Sequence, residues 1–111
     1  MTEKIYNYGY RTPRFPVDFR LSLQTDSRLP ALLDGHCSNL SEDGLAAEIA
    51  EPLEIGAKVT LILMLPGKST SMRIAARVTN HNRDGYGFAF LFSSQNERNY
   101  ICDYLASQRP I

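Results

Sequence analysis

The run Asn39-Leu40-Ser41-Glu42-Asp43-Gly44 and the segment Tyr10-Arg11-Thr12-Pro13-Arg14 hold the side chains best suited to gripping a ligand. An amide both donates and accepts hydrogen bonds, and a hydroxyl does the same in less space. Asn39 and Ser41 alternate, so on a continuing strand they project from one face. Gly44 falls where a corner needs a positive φ or a close backbone approach. Six such residues alone describe only a turn, since Asn, Ser and Gly all favour turns. Arg11 and Arg14 flank Thr12-Pro13, and Pro13 and Pro16 stiffen the lead-in toward an extended form. Two arginines held this way can clamp a phosphate with paired N–H donors. Alone, they are solvated surface arginines.

No other grouping offers a reaction centre. A nucleophile needs a neighbouring base, and a base needs a tuned environment. The two histidines, His36 and His81, stand in no H-E-x-x-H or H-x-x-E spacing that would signal zinc. The carboxylates are scattered through turns. There is no phosphate-cradling P-loop and no G-x-G-x-x-G opening a helix. The chain reads as a binding domain, not an enzyme, with no metal and no prosthetic group.

A β framework must position these groups. Residues 1–13 lack apolar periodicity and read as a flexible arm, leaving 14–111 as the domain. From Val17 the pattern has period two, with Val17, Phe19, Leu21 and Leu23 on one face. ALLDGHCSN is a second strand candidate, and Leu45, Ala47 and Ile49 resume alternation after the corner. KVTLILML follows EPLEIG as a strong strand, and Pro66-Gly67 closes it. Met72, Ile74, Ala76 and Val78 alternate next. HNRDG reads as a hairpin turn. YGFAFLF is the last strand, with Tyr86, Phe88, Phe90 and Phe92 on one face. Ser94 and Glu97 form a capping box, and Ile101, Tyr104 and Leu105 fall at helical spacing, so a helix spans about 95–107. Six strands with frequent turns and one helix describe an all-β antiparallel barrel or sandwich with a C-terminal α-helix.

Bulk properties agree. The 111 residues make one domain, and 43% hydrophobic with 22% charged residues is ordinary for a globular protein. Twelve basic and twelve acidic residues cancel, so no global field favours nucleic acid or a membrane. The basic set is nine Arg to three Lys, and Arg suits phosphates and guanine edges. Cys37 and Cys102 show no C-x-x-C pattern and read as free thiols. The N-terminus is polar and Tyr-rich, unlike a signal peptide. No apolar run approaches the roughly 20 residues of a membrane span. A cytoplasmic protein is expected.

The two motifs, taken in order with their surroundings, resemble the PilZ domain family. That family carries Arg-x-x-x-Arg before its first strand and Asp/Asn-x-Ser-x-x-Gly at a later corner. The second motif is complete here as Asn39, Ser41 and Gly44. RFPVDFRLSL resembles the family's first strand, PLEIGAKVTLILMLPG its middle, and RVTNHNRDGYGFAFLF its closing hairpin. The likeness runs over about residues 10–107. One departure stands out. Counting back four from Arg14 reaches Tyr10, so the first arginine is either shifted to Arg11 or lost. The shift is the preferred reading, because an arm absorbs a one-residue slip that a packed strand cannot.

The resemblance implies a six-stranded antiparallel barrel of the split type that binds cyclic di-GMP on its outer surface. It implies that Arg11 and Arg14 grip phosphates and guanine, that Asn39 accepts from guanine, that Ser41 adds a hydrogen bond and that Gly44 shapes the corner. Tyr10 would stack on a purine. The arm would order around the ligand and alter a surface for a downstream protein, as a monomer or weak dimer, in motility or polysaccharide control. A domain that has lost the nucleotide and acts by protein contact, as in type IV pilus function, is the alternative favoured by the arginine spacing. A barrel for single-stranded nucleic acid would need aromatic platforms in a basic groove, and core filling explains Phe88, Phe90 and Phe92 better.

Overall fold

The computed structural model describes residues 12–83 and 85–108. Six strands form in chain order: β1 (Phe15–Thr25), β2 (Leu32–Leu40), β3 (Gly44–Ile49), β4 (Lys58–Leu63), β5 (Met72–Asn82) and β6 (Gly85–Phe90). Helix α1 (Gln95–Leu105) ends them. All neighbours pair antiparallel in the order β1-β2-β3-β6-β5-β4, and β4 pairs back to β1, which closes the barrel.

Period-two alternation fills the interior. Leu21 and Leu23 of β1, Val59, Leu61 and Leu63 of β4, and Ile74, Ala76 and Val78 of β5 are all buried. Tyr86 and Phe88 of β6 join them, whereas Phe90 is half-buried and Phe92 lies past the strand end. Closure leaves none of the six described strands at a free sheet edge. The barrel therefore offers its outer face and its loops for recognition.

Helix α1 begins as its capping residues dictate. The Ser94 hydroxyl accepts from the Glu97 N–H at 3.3 Å. The Glu97 carboxylate reaches back to the N–H and hydroxyl of Ser93, at 2.9 and 2.7 Å, one residue before the cap. Tyr100, Ile101 and Leu105 bury into the barrel core. The Tyr100 hydroxyl accepts from the Leu65 N–H at 3.2 Å and donates to the Thr70 carbonyl at 3.0 Å. That fastens the helix to the chain leaving β4.

Candidate functional site

β2 breaks its period at Ser38. Cys37 pairs with Ala47 and Asn39 with Ala46, so two steps on β2 match one on β3. The extra residue is a β-bulge, which re-aims the side chains beyond it. Strict alternation would send Asn39 into the core after Cys37. Instead Leu40 takes the core position, fully buried, and Asn39 turns outward. The Cys37 thiol braces the bulge by donating to the Asn39 carbonyl at 3.3 Å.

β5 repeats the device. Val78 pairs with Phe88 and Asn80 with Gly87, leaving Thr79 as the extra residue. Asn80 and Asn82 then face outward, into the same cleft as Asn39. The pairings align Asn39, Ala46, Gly87 and Asn80 in one row across β2, β3, β6 and β5. Amides stand at both ends, with only a methyl and a hydrogen between them. Strands lie about 4.8 Å apart, so the row spans about 14 Å. The cleft over it encloses about 250 Å³.

Arg14 stands at the β2 end and is the one charged residue among the described lining. Its Nη1 donates to Asn39 Oδ1 at 2.5 Å, joining two residues 25 apart in sequence. A guanidinium only donates, so this contact orients the amide with its oxygen toward Arg14 and its NH₂ away. The family resemblance assigns that oxygen to guanine. Here Arg14 already engages it.

Ser41 lies elsewhere. β2 ends at Leu40, so Ser41 does not continue the face of Asn39 but turns inward and is 4% exposed. Its hydroxyl accepts from the Asp43 and Gly44 N–H groups, both at 3.2 Å, and its own N–H donates to the Gly44 carbonyl at 2.8 Å. It closes the corner behind the cleft. Ser41→Ala leaves two N–H donors without their acceptor and should cost about 1–2 kcal/mol of stability, read by chemical denaturation.

Gly44 resolves the choice between positive φ and close approach. It is absent from the positive-φ glycines, and a Cβ there would sit 2.0 Å from the Phe88 carbonyl oxygen. Close packing of β3 on β6 demands the glycine. Tyr10 and Arg11 lie outside the described residues. Arg98 of α1 pairs with Glu42 at 3.2 Å, which ties the helix to the same corner.

Sequence reasoning missed Ala46, Thr79, Asn80, Asn82 and Gly87. The usable signal was Asn80-His81-Asn82 facing Gly85-Tyr86-Gly87, two amides and two glycines in matched alternation. No three His, Cys, Asp or Glu side chains gather as metal ligands among the described residues. No described helix is long and apolar enough to cross a membrane.

Cys37 and Cys102 are free thiols. Burial pushes the Cys37 thiol up to about 12, against a smaller lowering by a backbone hydrogen bond with Asn39. An unfolded thiol ionises near 9.0. The folded chain thus keeps its proton where the unfolded chain loses it. The associated stability is full below pH 9 and is lost as pH rises toward 12. Stability measured across that window should fall, and Cys37→Ala should flatten the fall.

The chain matches no curated protein. Among solved structures it is similar to the PilZ domain of CeSA from a cellulose-synthesizing bacterium, with a TM-score of 0.63 and 15% identity. That likeness covers 82% of this chain and 96% of the other, and at such identity it speaks for the fold alone. The family model for the PilZ domain matches residues 10–107, from the segment before β1 through α1. The match over residues 10–107 and the closed six-stranded barrel place the chain in the PilZ domain family.

Proposed function

We propose that this chain is a receptor domain for cyclic di-GMP, bound in the outer cleft over β2, β3, β6 and β5. The observation that carries the reading is the Arg14–Asn39 hydrogen bond. It joins one residue from each half of a divided family motif at the edge of a cleft with a smooth floor. Arg14 supplies the cation for a phosphate and Asn39 supplies an amide for a guanine edge. Ser41 and Gly44 hold the corner from which Asn39 projects.

Residues 1–13 close over the ligand in this account. Arg11 serves as the displaced first arginine and Tyr10 stacks on a purine face. Fixing the arm changes the surface beside β1 and presents it to a partner protein, with output in motility or polysaccharide secretion. The domain works as a cytoplasmic adaptor and carries out no catalysis.

Isotope-edited NMR tests the placement. Adding cyclic di-GMP should shift the amide resonances of Asn39, Ala46 and Gly87 more than those of β4. Unmoved resonances at ligand excess would favour the other family role, action by protein contact without nucleotide. Tyr10, standing where the family has an arginine, is the feature that supports that second reading.

A further inference from the structure

The geometry points to Asn80 as a second base-reading residue, facing Asn39 across the cleft and outside both family motifs. The inference rests on the cyclic di-GMP reading and adds to it a position for one purine.

Asn80 is aimed by structure, not by chance exposure. The bulge at Thr79 places it opposite Gly87, and its amide folds over that glycine. A Cβ on Gly87 would lie 2.8 Å from Asn80 Oδ1 and 3.1 Å from Nδ2. Glycine at 87 therefore leaves the amide seated at floor level. Asn82 donates to Asn80 Oδ1 at 3.4 Å, so a second amide backs the first.

Charge divides the cleft. Arg14, at the β2 end, is the cation of the described lining, and the described lining from β5 is two amides and a hydroxyl. A phosphate belongs beside the guanidinium. A neutral group rich in both donors and acceptors belongs beside amides. A purine edge is such a group, and Ala46 with Gly87 lets a flat ring approach the sheet. Guanine offers N1–H and N2–H donors next to its O6 acceptor, all within the repertoire of an amide.

Titration calorimetry with cyclic di-GMP on four proteins tests this. Asn80→Ala should weaken binding about tenfold, the loss expected for one or two neutral hydrogen bonds. Gly87→Ala should weaken it similarly by displacing the same amide, because the residue has no positive φ to strain and the crowded atoms are side-chain ends. Asn80→Asp separates a base from a phosphate. A carboxylate still accepts from guanine donors, so this variant should bind more tightly than Asn80→Ala. A phosphate neighbour would be repelled, making it the weakest of the set. That ranking overturns the inference, as does wild-type affinity in Asn80→Ala. Melting temperatures near wild type show that the variants fold. Failure of the wild type to bind would instead sink the receptor reading and this inference together.

Discussion

Gly44→Val should destabilise the barrel more than any other single change considered for this chain. The new Cβ would meet the Phe88 carbonyl oxygen at 2.0 Å and the Ala89 Cα at 3.3 Å. Both are backbone atoms, so no side chain can swing aside. The β3–β6 ladder must open where Gly44 pairs with Ala89, and the Phe90 N–H to Asp43 carbonyl bond of 2.8 Å opens with it. Ser41 loses its corner in the same movement, since its hydroxyl and N–H both bond to Gly44. Overpacking alone costs about 1–3 kcal/mol. With these bonds added, the loss should reach at least about 3 kcal/mol, or roughly 10 °C or more in melting temperature. A thermal scan checks it. A melting temperature within about 2 °C of wild type would show that β3 and β6 do not pack as described.

Arg14→Ala should have the largest effect on ligand binding. It removes the one cation of the described cleft and frees the Asn39 amide from its orienting partner. Hydrogen bonds to charged groups contribute about 1.5–3 kcal/mol each, so losing them should weaken cyclic di-GMP binding about 100-fold or more. Stability should barely move, because Arg14 precedes β1 and is only half-buried. Arg14→Lys keeps the charge without the planar fork and should fall between the two. Raising salt should weaken the wild type more than the alanine variant. Unchanged affinity in Arg14→Ala would move the phosphate grip away from the strand entry.

Much of the architecture was legible because one face of each strand is buried. Alternation alone marks Leu21 and Leu23, Leu61 and Leu63, Ile74 and Val78, and all are core. Ser94 and Glu97 marked the start of α1. The helix stops at Leu105 with Ala106 as its cap, slightly short of the expected 107. The likeness to a family also singled out Asn39, Ser41 and Gly44, which lie at the end of β2, in the corner and at the start of β3.

The cleft was less legible, and the bulges are the reason. Alternation is informative only while the period holds, and each bulge inverts it. Ser38 hides the outward turn of Asn39 behind a pattern that reads inward. Thr79 ends the apparent alternation of β5, so His81-Asn82 reads as the start of a hairpin turn when it is the last stretch of strand. Asn in a turn and Asn at a binding wall are chemically identical in sequence. Only the pairing with Gly87 tells them apart. Ser41 failed in the opposite direction. Its spacing from Asn39 suggested a shared face, but the strand ends between them and the hydroxyl serves the corner.

Calorimetric titration of cyclic di-GMP into the purified chain tests the receptor reading most directly. The wild type should give saturable heat that nearly disappears in Arg14→Ala, with both proteins folded by circular dichroism. A folded wild-type chain that gives no heat with ligand in excess would contradict it.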